Sequence, residues 1–536
     1  MRRHLSKYKR LLKSKIALLF VAFFACLSFY TLFVNEKNEN PTEDHQLQYL
    51  FKENYFSTPF KENLAIREPL FNNHTCSITD YGAKAGDKNS TTEAFGKAIE
   101  DCTRGGGGSV IIPKGTWLTG PIKLKNNINL HLEDEAKLVF SEKFEDYLPV
   151  VFSRFEGIEY YNYSPPIYAK DCKNVAITGN GTLDGQGENW WNLKNADSIQ
   201  KIYAMGDDNT PLNQRIFDKP EYGIRPSFVE FVNCNSILVE NVTLKNGPMW
   251  TVHPVYSKNI TVRNVKIFTN PGPSTDGVAI DSSRDVVVEN STFNTGDDAI
   301  VLKSGRDKEG MRIHVPTENV VIRNNNVLDS HGAIAIGSET SGDIRNVYAS
   351  NNNVDLSQYG FRIKSALGRG GIVENIWTEN LRIKRASIDG IRIDAFYGTP
   401  FRVDSVAAPF FRNIYFKDIY AEKTSHPITI KGSYEKKVDS ISFENIEFGT
   451  KKDISVENSS NINFNNVSFA QQKSSLFFIK NSSDINFEKI ICHSSDVCLE
   501  LNGSTTENIN VSKSELAKNG KTIFGQGAKK EALILE

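Results

Sequence analysis

The sequence predicts an all-β solenoid, a parallel β-helix, on two observations. From about residue 170 onward one phrase recurs: a polar residue, a β-branched residue, a short alternating strand and a turn former. It stands at Asn174-Val175, Ser236-Ile237, Asn259-Ile260, Asp285-Val286, Asn319-Val320, Asn346-Val347, Asn375-Ile376, Asn413-Ile414, Ser440-Ile441, Asn461-Ile462, Asp484-Ile485 and Asn508-Ile509. Successive β-branched members lie 62, 23, 26, 34, 27, 29, 38, 27, 21, 23 and 24 residues apart. A floor near 21 to 23 with variable additions marks a coil of constant cross-section from which loops project. Hairpin-linked strands would recur every ~8–12 residues. Stacked in parallel ~4.8 Å apart, such strands bury one side-chain row of every rung in a continuous cylinder. The second observation is another register: 13 residues beyond Ile237, Val286 and Val320 stand Trp250, Ala299 and Ala333, each opening a β-prone run. Each coil therefore carries at least two strands.

An open cylinder end invites edge pairing unless covered. Residues 90–104 supply a helical cap, with Ser90 and Glu93 as a capping box and Ala94, Phe95, Ala98 and Ile99 on one face before Gly105–Gly108 stop the helix. That glycine run is no phosphate loop, because no Gly-Lys-Ser/Thr follows. The expected organisation is a basic flank (1–15), a signal peptide or transmembrane anchor (16–34), a lead-in (35–75), the cap with the first coils (76–170) and the β-helix domain (171–530). Seven cysteines are too few for a disulfide scaffold of this size. Cys172 and Cys234 each precede an equivalent strand start by three residues and are expected as stacked core thiols.

Lys+Arg 63 against Asp+Glu 64 leaves a formal net charge of -1, so no global field attracts a polyanion and nucleic acid is not an expected partner. An anionic substrate needs a local basic pocket. Seven Lys and Arg within Met1–Lys15 precede an uncharged, mostly apolar run from Ile16 to Val34, 19 residues long. That pattern is an export signal, retained as a membrane anchor if uncleaved, with the remainder across the membrane. A monomer is expected.

The second register gathers the chemistry. Two positions before Val278, Ala299 and Ala333 lie Asp276, Asp297 and His331, with Asp298 beside Asp297. Arg362 and Lys364, two apart in a strand of a following coil, share a face. An isolated Asp here is ordinarily a turn residue; the set in register is not explained that way. Crowded carboxylates raise at least one pKa and keep a proton available. An acid beside a base is what glycosidic hydrolysis needs, and the two cations suit a substrate carboxylate. Lys303 and Arg306, just beyond, are further candidates for a neighbouring carboxylate.

These motifs, Ser274-Thr-Asp-Gly277, Gly296-Asp-Asp298, Ser330-His-Gly332 and Arg362-Ile-Lys364, preceded by Gly181-Thr-Leu-Asp-Gly-Gln-Gly187 and Trp190-Trp191, resemble in content and order those of the family 28 glycoside hydrolases. The resemblance runs from about Ile78 to about Phe448. It implies a right-handed parallel β-helix and inverting hydrolysis of galacturonan without a metal or other cofactor. It further implies Asp297 as general acid, Asp276 and Asp298 as the pair that activates water, and His331 as a residue that tunes the acid. Arg362 and Lys364 would bind the galacturonate carboxylate, with Tyr397 as an active-site tyrosine. Ser274 and Ser330 depart from the family pattern, which bears on the subsites and not on the catalytic groups. A calcium-dependent pectate lyase or a noncatalytic carbohydrate-binding β-helix would share the repeats but not the three aspartates in phase with the cations.

Exo cleavage, from a chain end, is expected from loop length. The 62-residue interval leaves 16 residues of insertion even if it hides a further coil. It carries Trp190, Trp191, Tyr203 and Tyr222, suited to stacking on a sugar or to building a rigid wall. A second long turn, Ser304 to Thr317, lies beside the acid cluster.

Overall fold

The computed structural model describes residues 64–398, 407–449, 452–469, 477–490, 497–512 and 521–535. They form a right-handed parallel β-helix whose coils carry three strands, where the sequence reading gave at least two. One representative coil runs through Arg284–Glu289, Thr292–Asn294 and Ile300–Lys303, each paired in parallel with its counterpart in the coils before and after. The described coils begin at Thr75–Ser77, which pairs with Gly108–Ile112.

The β-branched residues of the repeat are direct partners from coil to coil: Val175 with Ile237, Ile237 with Ile260, Ile260 with Val286, and so on to Ile485 with Ile509. Val175 and Ile237 therefore belong to adjacent coils. The 62-residue interval hides no extra coil, and all its excess over 23 residues is insertion. The second register shifts by one at its start. Val252, Val278, Ile300 and Ile334 are level, so Thr251, not Trp250, stands in line with Ala299 and Ala333.

Backbone conformation explains the polar half of the phrase. All twelve of those residues, from Asn174 (φ 53) to Asn508 (φ 53), adopt the left-handed region. Asn and Asp tolerate it because a short polar side chain bonds locally. Here the bonds also run between coils: Asn346 Nδ2 donates to Asn319 Oδ1 at 3.1 Å, and Asn375 Nδ2 to Asn346 Oδ1 at 3.3 Å. Beneath them the β-branched rows are fully buried, joined in later coils by Phe416, Phe443, Phe464 and Phe487, stacked with centroids 5.0–5.3 Å apart.

The cap is the helix Lys88–Arg104, whose Thr91, Ala94, Phe95, Ala98, Ile99 and Cys102 are buried. Its N-cap is Asp87, which accepts from the Asn89 and Ser90 main-chain N–H groups, so the capping box expected at Ser90 is displaced by a stronger acceptor three residues earlier. A disulfide joins Cys76 to Cys102 and ties the cap to the first strand. Cys172 and Cys234 are buried free thiols in adjacent coils. The apolar segment 16–34 lies outside the described residues, among which no helix is long and apolar enough to cross a membrane.

Replacing Asn346 by Ala removes both ladder bonds and leaves a Cβ-bearing residue without local compensation at φ 56. The expected loss is about 2–3 kcal/mol in chemical unfolding, with Asn346→Gly losing distinctly less because glycine carries no left-handed penalty. Equal losses for the two variants would show that the conformation contributes nothing beyond the bonds.

Candidate active site

The site forms where the chain enters the third strand of successive coils. Asp276 leads into Val278–Asp281, Asp297 and Asp298 into Ile300–Lys303, and His331 into Gly332–Ile336, while Arg362 and Lys364 lie in Ser357–Lys364. The strand register brings these groups together in an order that differs by one from the sequence reading. Pairing of Val278 with Ile300 sets Asp276 level with Asp298, and pairing of Ile300 with Ile334 sets Asp297 level with His331. Two glycines of the motifs are required by space. A Cβ on Gly296 would stand 1.9 Å from the Gly272 carbonyl oxygen, and one on Gly332 would stand 2.5 Å from Asp298 Oδ1.

Asp298 is buried, and its Oδ2 accepts from Lys364 Nζ at 2.7 Å. His331 Nδ1 lies 3.3 Å from Asp297 Oδ1 and 3.6 Å from Asp298 Oδ1. Burial alone would push the Asp298 carboxyl up, but the Lys364 ammonium and His331 together hold it well below the usual carboxylate range. Asp276 goes the other way: burial, then the charge of Asp297, push it well above that range, and Lys303 at 3.9 Å only partly opposes them. Burial depresses His331, but hydrogen bonding to Asp297 and Asp298 outweighs it and raises the imidazole to about 9. Asp297 is the open member, its side chain 32% exposed, and with His331 it lines a cleft of about 490 Å³.

Arg362 is 4% exposed, yet its Nε and Nη1 have no hydrogen-bond acceptor among the described residues. Its guanidinium lies over the rings of Tyr359 (4.0 Å to the centroid) and Tyr397 (4.8 Å), and Lys364 lies 5.2 Å from Tyr397. Tyr359 also meets His331 edge-on at 5.5 Å. A buried donor without an acceptor is costly, so this pocket is built for an anionic partner.

Lys303 and Arg306 are differently placed. Lys303 Nζ pairs with Glu339 at 3.2 Å and lies over Trp250, and Arg306 pairs with Glu156 at 3.1 Å and Asp307 at 3.2 Å while stacking on Tyr203. Each already has acidic partners and helps to fix the surroundings of the cluster. Tyr359 and Glu339 escaped the sequence reading because their importance lies in contacts across coils, and no spacing or motif marks them.

The two long loops form one body. The helix Ala196–Asp207 of the first packs against the helix Asp307–Ile313 of the second, with Lys308 N–H donating to Asp207 at 3.3 Å. Glu309 is buried between them, accepting from Arg215 Nη1 at 2.5 Å and from the Glu159 N–H at 2.8 Å. A hairpin that precedes both loops, Val151–Phe155 with Ile158–Asn162, pairs with Ile216–Phe217 of the first, and its Arg154 binds Asp281 at 2.8 Å, which pins the body to a strand that Asp276 leads into. Phe155, Ile158, Tyr160, Ile202 and Phe217 bury the outward side chains Ala279, Val301 and Ala335 of the site strands. Trp190 is buried against Tyr147 and Tyr163, Trp191 Nε1 donates to Gly247 O at 2.9 Å, and Tyr222 packs edge-on to Phe217. These aromatics build a wall, the second of the two uses their composition suggested.

Among the described residues, two groups bring possible metal-ligand atoms together. In the first, His74 stands by Cys76 and Cys102, whose sulfurs are joined to each other. In the second, Asp297, Asp298 and His331, protonation of His331 takes up the imidazole lone pair at neutral pH and Lys364 neutralises Asp298, so the donor set fits an ion-pair cluster better than a cation.

Residues 215–458 match the model of glycosyl hydrolases family 28. A probable polygalacturonase of Vitis vinifera is 31% identical over 67% of this chain and 71% of its own. The exo-poly-alpha-D-galacturonosidase of Dickeya chrysanthemi is 26% identical over 74% of this chain and 71% of its own. Among solved structures, a hyperthermoactive exopolygalacturonase from Thermotoga maritima superposes with a TM-score of 0.66 at 36% identity, covering 78% of this chain and 93% of that one. With its fold, its ordered motifs and these relatives in agreement, the chain belongs to glycoside hydrolase family 28.

Proposed function

We propose that the chain is a polygalacturonase, hydrolysing α-1,4-galacturonosidic bonds of pectic polygalacturonate, and that it acts from the chain end. The observation that carries this reading is Arg362, a buried guanidinium whose Nε and Nη1 have no acceptor among the described residues, two residues from the Lys364 that pairs with the carboxyl cluster, where Asp276 is pushed up and Asp298 held down. A uronate carboxylate completes the arginine's hydrogen bonds, with Lys364 adding charge and Tyr397 covering the pair. That places a glycosidic oxygen by Asp297, the open acid, which His331 orients. Asp298, kept ionised by Lys364, takes the proton of the attacking water. Asp297 gives its own proton to the leaving oxygen, and Asp276, whose carboxyl burial and the charge of Asp297 push up, stands level with Asp298 beside that water. An acid and a base on opposite faces of the sugar give inversion. The pinned wall beside the strands of the site supports the exo mode, since an enzyme that cuts from a chain end needs a rigid wall against which only a terminal sugar fits. The basic, then apolar, leader supports export, with membrane attachment where it is retained.

Incubation with polygalacturonate and a chelator is expected to give new reducing ends, no unsaturated product, early mono- or digalacturonate and a slow fall in viscosity. Unsaturated ends would mean a lyase, and an early spread of mid-length oligomers with rapid thinning would mean endo action. Asp297→Asn should lower turnover about a thousand-fold with unfolding unchanged, as expected for loss of a general acid. Activity within tenfold of wild type would remove Asp297 from that role.

The His331 ion pairs also make stability depend on pH. The group binds its proton more tightly in the folded state (about 9) than in an unfolded chain (~6.5). Its contribution is complete below ~6.5 and is lost as pH rises through about 9. The unfolding midpoint of wild type should therefore fall more steeply over that range than that of His331→Gln. Parallel slopes would show that His331 is not held as an imidazolium.

A further inference from the structure

Arg225 belongs to none of the motifs, yet it stands at the acid cluster. It follows Tyr222 of the wall and precedes the strand Val229–Val232. Its Nη1 donates to two main-chain carbonyls, Pro248 O at 3.1 Å and Pro273 O at 2.6 Å. Those prolines lie in the turns that lead into Val252–Val255 and Val278–Asp281, so the guanidinium is fixed over the approach to Asp276. Its Nε and Nη2 have no acceptor, and no carboxylate lies within ion-pair distance, among the described residues. The charges that act on it are those of Asp276, Asp297 and, from the wall, Glu156; burial outweighs them and brings it down to about 10.

Position along the helix axis gives this arginine its meaning. Asp297 and Asp298 lead into the strand Ile300–Lys303. Arg362 is on the second strand beyond it, and the carbonyls that hold Arg225 precede the first and second strands before it. At ~4.8 Å per rung, each guanidinium stands ~5–10 Å from the aspartates, on opposite sides. A polyuronate presents one carboxylate on each sugar, and the two sugars joined by the scissile bond lie on opposite sides of the catalytic acid. Arg362 meets one of those carboxylates. The groups of the motifs leave the other, on the Asp276 side, without a cation of its own, and it is there that the segment after Tyr222 carries Arg225 out of the wall.

We propose that Arg225 binds the carboxylate of the terminal uronate on the Asp276 side of the scissile bond. The proposal rests on the polygalacturonase reading, and it adds a second anion site that couples end recognition to a charge rather than to the shape of the wall alone. Holding two carbonyls with Nη1 fixes the fork while leaving the Nε and Nη2 donors for a carboxylate, the geometry that favours arginine over lysine.

The test is titration calorimetry of digalacturonate, and of a neutral galactose disaccharide, into wild type, Arg225→Ala and Arg225→Gln, with wild-type turnover of polygalacturonate measured alongside. Glutamine keeps an N–H₂ donor for the proline carbonyls but carries no charge. Both variants are expected to bind digalacturonate at least about ten-fold more weakly, with no change toward the neutral sugar. Wild-type affinity in Arg225→Gln, or equal losses for the charged and neutral sugars, would reduce Arg225 to a support for the two turns and overturn the proposal. Unchanged affinity in both variants would overturn it as well. A wild type that cleaves no polygalacturonate fails the activity reading instead, and the titration still decides the role of Arg225.

Discussion

A residue held in the left-handed conformation at the same point of every coil is the constraint on which the rest of this protein depends. It turns the chain into its first strand at a fixed angle, and the Asn and Asp side chains at that point bond to their counterparts above and below. The cross-section of the coil is thereby kept constant from Val175 to Ile509 despite intervals that vary nearly threefold. Because every addition must leave and rejoin the coil without disturbing register, insertions become loops on the surface, and residues far apart in sequence stay level. Asp276 and Asp298, 22 positions apart, are level for that reason alone.

Such a scaffold can concentrate charge because it does not relax. Asp298 and Lys364 are both buried, and the scaffold compensates by holding them at 2.7 Å. Burial and the same crowding, opposed only by Lys303 at 3.9 Å, push the Asp276 carboxyl well above the usual range. Two carboxyls in equivalent positions thus acquire opposite character from neighbours on adjacent coils, as an acid–base reaction requires. Around them Lys303, Glu339, Arg306 and Glu156 form a second set of ion pairs that ties the cluster to the wall. Removing one partner of such a buried pair leaves the other charge uncompensated, so the surroundings are as demanding as the centre.

The repeat was legible because it is one-dimensional. Each polar–β-branched pair states the same local requirement, and all twelve polar members adopt the same conformation. The acidic cluster was legible for the same reason, as residues at one phase of a period. What escaped was whatever depends on contacts between loops or on a single residue's slip. Trp250 sits one place out of register because the turn before Val252–Val255 is a residue longer than its β-prone appearance suggests. Asp87 takes the place of Ser90 as helix cap because its carboxylate is the stronger acceptor, three residues earlier, and the apolar face of the helix marks the cap only to within a turn. Lys303 and Arg306 read as free cations because Glu339 and Glu156 have no periodic relation to them. Tyr359 and Arg225 belong to the same class, meeting the site only through the stacking of coils.

The central claim is that a uronate chain lies along the helix axis across the aspartates, its end against the wall. A crystal structure of Asp297→Asn with trigalacturonate tests it most directly. The expected result is a glycosidic oxygen at residue 297, one carboxylate on Arg362 and Lys364, and the terminal sugar between Arg225 and the wall formed by the two insertions. An oligosaccharide running past the wall on both sides of the cluster, or bound with its carboxylates away from Arg362, would contradict the account.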